Sequence, residues 1–296
     1  MTSPFPGAKL HFIMEKGLEL EYIPELNEAL LIMGFEGWGN ALAISTGMVE
    51  YLIRKLDAKT FGKIGSDLFY TYDNHRPVIE VQNGLLRKIE PPGGLFYTVN
   101  KDLVGRDLIL TKALEPNLNW SLFIDSILSL CHKSGVKTII SLGSMYDNIL
   151  HTETIISAMA SNERILETLK EEEILPTNYE GPGAIHSSFL QESSKQGFEY
   201  LSLWCHCPYY LQGTTHFGLL SRLGSFLSSW GGFELNTDEL KVTWKDLSNQ
   251  IQVAIDKNPE LQGIVKDIRK NKAKGEWGQV GKQGKVVRMK DFLKPK

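Results

Sequence analysis

The chain has 296 residues, of which 42% are hydrophobic, 10% aromatic and 23% charged. This excludes a disordered or collagen-like chain and leaves enough apolar surface to bury a core unaided. The formal net charge of −3 is unevenly divided, with +6 on residues 271–296 and −9 on the rest. No apolar stretch reaches the roughly eighteen residues of a membrane span, and Leu10 to Met14 is too short an apolar run for a signal-peptide core. Three cysteines, Cys131, Cys205 and Cys207, are too sparse for a disulfide framework. A cytoplasmic protein in a reducing compartment is expected.

A β-like segment is expected over residues 1–24, followed by an α/β domain over 25–235. Ala29 to Phe35 reads as a buried strand, and Leu42, Val49, Leu52, Ile53 and Leu56 fall on one face of the helix after it. Between about residues 60 and 99, short β-like runs such as Val78 to Val81 are punctuated by Asn83-Gly84 and Pro91-Pro92-Gly93-Gly94, which predicts a hairpin insertion. Asp107 to Leu114 is a second buried strand, and Trp120, Phe123, Ile127 and Leu130 stripe the next helix. Lys137 to Leu142 and Glu199 to Trp204 give two further strands, and Leu220, Leu223, Leu227 and Trp230 another helical stripe. Strands separated by helices of this length imply βαβ units and a mostly parallel sheet with helices on both faces.

Beyond Gly231-Gly232 the pattern over 236–270 is purely helical. Leu240, Trp244, Leu247, Ile251 and Ala254 form a narrow seam that must pack on something. Asn258 then caps a second helix with Pro259 in its first turn, striped by Leu261, Ile264, Val265 and Ile268. Residues 271–296 form a basic, Gly/Lys-rich tail, expected to lie across the acidic body of its own or a neighbouring subunit with Trp277 and Phe292 in apolar grooves. The other outcome is a mobile basic arm for anionic partners, without the aromatic-basic fold that specific nucleic-acid recognition needs.

Polar residues cluster just after the strands, where ligands of open parallel sheets bind. Gly34-Phe35-Glu36-Gly37-Trp38-Gly39-Asn40 is a tight glycine turn whose N–H groups suit an anion, although it does not match the dinucleotide fingerprint. Glu115 and Asn119 follow the second strand; Ser144 and Asp147, with His151 close behind, follow the third; Glu180 sits in the turn before a helix carrying His186. Each has a plain alternative as a cap or turn residue. Gly143-Ser144-Met145-Tyr146-Asp147 is not a nucleophile elbow. Cys205-His206-Cys207 lacks the second ligand pair of a zinc site, and strand alternation turns both cysteines to one side and His206 to the other, so buried reduced cysteines are expected. No metal is expected, and no cofactor is required.

Several of these strings together resemble the PAC2 family, named for proteasome assembly chaperone 2. They are GFEGWGNA at Gly34 to Ala41, Tyr51-Leu52, Arg76-Pro77, EPNLNW at Glu115 to Trp120, LGSMYDNILHT at Leu142 to Thr152, YEGPGAI at Tyr179 to Ile185, SLWCHCPYYLQG at Ser202 to Gly213, and Asp256 to Pro259. The resemblance implies an α/β sandwich like that of nucleoside phosphorylases and related hydrolases, a C-terminal helical region and a symmetric homo-oligomer, with a trimer as one form it could take. It also implies a non-catalytic assembly or binding protein with a protein partner. The chain ends Asp291-Phe292-Leu293-Lys294-Pro295-Lys296, without the hydrophobic-Tyr-any motif by which relatives enter the proteasome α ring. Some members carry an ATP-grasp label, for which no phosphate loop or Mg²⁺-carboxylate set is seen. The alternative is an enzyme acting on a nucleoside-like or carboxylate ligand at Glu36, Asn40, Glu115, Asn119, Ser144, Asp147, His151 and Glu180. Glu36, Asn40 and Asp147 are then expected near one another at the carboxyl edge of the sheet.

Overall fold

A computed structural model describes residues 13–273. Its strands are β1 (Ile13–Glu15), β2 (Leu18–Leu20), β3 (Ala29–Glu36), β4 (Lys59–Ile64), β5 (Val78–Gln82), β6 (Leu85–Glu90), β7 (Gly94–Val99), β8 (Leu108–Leu114), β9 (Val136–Asp147), β10 (Ile156–Ala160), β11 (Leu175–Pro176) and β12 (Glu199–Pro208). The helices are α1 (Ile44–Lys55), α2 (Lys101–Val104), α3 (Trp120–Lys133), α4 (Glu163–Lys170), α5 (Ile185–Lys195), α6 (Phe217–Gly231), α7 (Asp238–Lys257) and α8 (Pro259–Ala273).

Ten strands form one sheet in the order β1-β2-β4-β7-β8-β3-β9-β12-β10-β11. The centre, β8-β3-β9-β12, is parallel throughout. These are the most continuously apolar segments, and a strand covered by helices on both faces needs apolar side chains on both. On one side of centre, β7, β4, β2 and β1 continue the sheet in antiparallel pairs, and on the other β10 pairs antiparallel with β12. The parallel sheet read from the alternation is therefore the core of a mixed one. Short strands such as β2, β4 and β10 carry too few residues for their periodicity to stand out.

Two apolar layers cover the sheet. On one face Leu30, Ile32, Leu110, Ile140 and Leu203 pack with Met48, Leu52, Leu223 and Leu227. On the other, Leu31, Met33, Phe35 and Ile139 pack with Phe123, Ile127 and Phe189. The seam on α7 packs within the same chain: Leu240 is 5% and Ile251 0% exposed, and Trp244, Leu247 and Ala254 are partly buried against the same core. The Trp244 ring stacks on His216 at 3.9 Å. Asn258 Oδ1 accepts from the Glu260 and Leu261 N–H groups, capping α8 as its sequence suggests.

Two local readings are corrected. Leu42 is not part of the first helix; it and Ala43 have φ of +52° and +53° in a tight turn, and α1 starts at Ile44. The strand after Val136 runs on to Asp147, carrying the 143–147 motif inside the sheet rather than beyond it. Asn83 and Gly84, with φ of +51° and +75°, close the β5–β6 hairpin as a mirror-image turn that suits the strand twist. The two antiparallel strands stand apart as a sheet of their own. Because β4 runs parallel to β8, this insertion between β4 and β7 leaves the body at the carboxyl edge of the central strands. Residues 1–12 and the basic tail from residue 274 on lie outside the described residues.

Candidate functional site

Four central strands pointing the same way bring their carboxyl ends to one edge, and an open cleft of ≈ 870 Å³ lies there. Its wall takes Trp38 and Asn40 from the turn after β3, Tyr146 and Asp147 from the end of β9, Trp204 and His206 from β12, and Tyr179 and Glu180 from the turn before α5.

The glycines of the signature strings seat the inner wall. Trp204 and Gly143 are direct neighbours in the β9–β12 register. A Cβ on Gly143 would lie 2.8 Å from the indole, and one on Gly39 would lie 3.0 Å from it. Only hydrogen at both positions lets the ring lie flat across the strands. The Trp204 Nε1–H donates to Ser202 Oγ at 3.0 Å, and the Trp38 ring meets Trp204 nearly edge-on with centroids 6.4 Å apart. Trp204 is 7% exposed and Trp38 64%. The cleft thus has a fixed inner aromatic and an open outer one.

Beside this wall, Asp147 Oδ2 and His206 Nδ1 are 2.7 Å apart, and His206 Nε2 is 2.9 Å from Ser157 Oγ. The carboxylate can only accept, so the Nδ1–H of His206 donates to it. Burial raises the Asp147 pKa. Hydrogen bonds from His206 and the Asn148 N–H, with the charges of His206 and Lys272, outweigh it and hold the carboxyl below its usual range. The order Ser–His–Asp is that of a nucleophilic triad. Here, however, Ser157 is 4% exposed, lies within strand β10 and is absent from the cleft wall. The chain of bonds orients Asp147 rather than presenting a nucleophile.

Of the sequence-predicted residues, Asn40, Asp147 and Glu180 share the cleft. Asn40 also caps the start of α1, its Oδ1 accepting from the Thr46 N–H and its Nδ2 donating to Thr46 Oγ1. Glu36 is at the same edge, exposed at the end of β3, but its side chain does not line the cleft. Glu115 accepts from the Trp38 N–H at 3.3 Å and from the Ile185 N–H at 2.9 Å. The anion at the glycine turn and at the α5 N-terminus is therefore the protein's own carboxylate. Ser144 is buried, its Oγ–H donating to the Ala41 carbonyl. Asn119 Nδ2 donates to the Leu68 carbonyl, outside the cleft. His151 is 3% exposed, bonded to the Tyr210 hydroxyl, and burial followed by the charge of Arg269 lowers its pKa to about 4.

His186 is buried against Phe35 and Trp204, and its Nε2–H donates to the Leu142 carbonyl. Cys205 and Cys207 are buried and unpaired, while His206 between them turns to the cleft. That alternation was readable, but the pairing of His206 with Asp147 and Ser157 joins three strands and has no local signal. The same holds for Trp204, Tyr146 and Tyr179 as one wall. Among the described residues, no three His, Cys, Asp or Glu side chains converge as a metal site requires.

A mixed sheet sandwiched by helices, with a helical C-terminal region and an open cleft at the carboxyl edge, defines an α/β sandwich protein. The chain belongs to the PAC2 family, whose family model matches residues 31–255. Solved structures share the fold. A proteasome-assembly chaperone homologue of Mycobacterium tuberculosis and a PAC2 family protein of Streptomyces avermitilis are each 24% identical, with a TM-score of 0.70, over 80% of this chain and 99% of theirs. An archaeal proteasome activator of Pyrococcus furiosus is 18% identical, with a TM-score of 0.59, over 79% of this chain and 96% of that one. No curated protein matches the chain. No described helix is long and apolar enough to cross a membrane.

Proposed function

We propose that this PAC2-family chain is a non-catalytic assembly protein of the cytoplasm that binds protein partners and associates with copies of itself. The observation that carries the non-catalytic reading is the use of the strand-end polar groups. Glu115, Ser144, Asn40 and Asn119 are bound to backbone N–H and C=O groups of the chain itself. An enzyme would turn such groups together onto a substrate atom. The names of the structural relatives, a proteasome-assembly chaperone homologue and an archaeal proteasome activator, support a protein partner.

Self-association is supported by the β5–β6 hairpin. Opposed residues share a face, and the pairs Ile79–Ile89 and Val81–Leu86 put four aliphatic side chains on one face of it. All four are exposed, between 55% and 59%. Glu80, Gln82, Lys88 and Glu90 stand on the other face beside Val78 and Leu85, with Lys88 and Glu90 paired. A hairpin alone is marginal in water, and an apolar face of this kind is stabilised by covering it with another chain. Light scattering on the full chain tests the reading. The expected mass is a multiple of 33.3 kDa, with the Ile79→Asp/Leu86→Asp variant returning to one chain; a monomeric wild type would overturn it. A fluorophosphonate probe, which traps serine nucleophiles, is expected to leave the protein unlabelled, and labelling at Ser157 would overturn the non-catalytic reading.

A further inference from the structure

The cleft at the carboxyl edge has a chemical character that neither the caps nor the hairpin uses. Among the described residues, two carboxylates line it, Asp147 and Glu180, and no lysine or arginine does. Among the described residues, Asp147 has no Lys or Arg in salt-bridge contact, only His206, and Glu180 has no ion pair. Lys272, whose charge reaches Asp147, is itself bonded to Glu153.

Asp147 is held in place rather than left to rotate. Its Oδ1 accepts from the Asn148 N–H at 2.6 Å, its Oδ2 is bonded to His206, and His206 is anchored in turn by buried Ser157. A half-buried charge fixed on both oxygens, with lone pairs remaining, is arranged for a third partner. The rest of the wall is aromatic. Trp38 is 64% and Tyr179 58% exposed, while Trp204 fixes the floor behind them.

The alternatives fit less well. An anion would face two carboxylates, and the turn N–H of Trp38 and the α5 N-terminal N–H of Ile185 are already taken by Glu115. A metal ion lacks a third ligand among the described residues. A neutral ring would cover Asp147 without compensating its charge, which is unfavourable. A cation satisfies the carboxylates and the ring faces together. A guanidinium does so best, because it is planar, weakly hydrated, stacks on aromatic faces and offers several donors to two carboxylates at once.

We propose that the cleft binds a guanidinium group, held by Asp147 and Glu180 and laid against Trp38 and Tyr179. Free arginine and an arginine side chain of a protein share this chemistry. They differ at the α-carbon, where free arginine carries an ammonium and a carboxylate and a protein arginine carries two neutral amides.

The test is a titration of the full chain, followed by tryptophan fluorescence, with N-acetyl-arginine amide, free arginine and N-acetyl-citrulline amide. The citrulline compound keeps the shape and removes the charge. The expected result is a saturable change with the arginine amide, at least about tenfold weaker binding of the citrulline amide, and weakening by added salt. Glu180→Gln is expected to weaken binding about tenfold, and Trp38→Ala about three- to fivefold. Both residues are exposed, so both variants are expected to melt like the wild type. Tighter binding of the amide than of free arginine assigns the site to protein arginines; the reverse assigns it to the free amino acid. No saturable change up to about 100 mM, equal binding of the citrulline amide, or indifference to both substitutions would overturn the proposal. The Ile79→Asp/Leu86→Asp hairpin variant is expected to keep the titration unchanged, so the self-association reading can fail without this one.

Discussion

Gly143→Ala places one methyl group at the most closely packed point of the cleft. The new Cβ would lie 2.8 Å from Trp204 Cδ2 and 2.9 Å from Cε2 and Cε3. Ordinary carbon contacts are about 3.5–4.0 Å, so the ring has to move by roughly 0.7–1 Å. It has little room to do so. Gly39 is on its other contact, Nε1 is held by Ser202, and the side chain is 7% exposed. Overpacking of this kind costs about 1–3 kcal/mol, while replacing glycine lowers the entropy of the unfolded chain and returns about 0.4–1 kcal/mol. The net loss is therefore about 0.5–2 kcal/mol, or roughly 1–3 °C in Tm for a chain of this size. Thermal unfolding by far-UV circular dichroism gives the shift, and near-UV ellipticity reports the Trp38–Trp204 pair. The same substitution in a Trp204→Phe background is expected to cost less, because the fused ring it strikes is gone. An unchanged Tm in the wild-type background, or an equal loss in both, would refute the packing argument.

Three further outcomes are expected. Burial lowers the pKa of both His151 and His216 to about 4, against 6.5 in an unfolded chain. Between those values the unfolded state binds more protons, so stability is complete above about pH 6.5 and falls toward pH 4, by up to about 3 kcal/mol per histidine; a Tm flat across this window would contradict the buried neutral rings. Burial raises the thiol pKa of Cys205 to about 12 and those of Cys131 and Cys207 well above the usual range, so iodoacetamide should leave the native protein unmodified and label all three cysteines in denaturant. Glu115→Ala removes the acceptor for the Trp38 and Ile185 N–H groups and should lower stability by about 0.5–2 kcal/mol, with hydrogen exchange accelerated at those two amides; unaltered exchange there would refute the capping role.

The sequence by itself determined the elements whose evidence is local. β3, β8, β9 and β12 are marked by apolar runs, α3 and α6 by stripes at helical spacing, the hairpin by Asn83-Gly84 and α8 by Asn258-Pro259. The alternation of strand and helix dictated a sandwich, and with it the edge where Asn40, Asp147 and Glu180 gather. What only the tertiary structure decided depends on groups far apart in the chain. Cys205-His206-Cys207 reads as core from its neighbours, yet His206 meets Asp147 and Ser157 because three strands lie side by side. Glu115 reads as a site carboxylate, yet it closes the Trp38 and Ile185 amides because β8 ends between the β3 turn and α5. The α7 seam called for a partner and found it in the same chain, whereas the hairpin's apolar face has none among the described residues. Periodicity records which face of an element is apolar; which surface covers that face, and which polar atoms meet across the sheet, is fixed only by the pairing of distant segments.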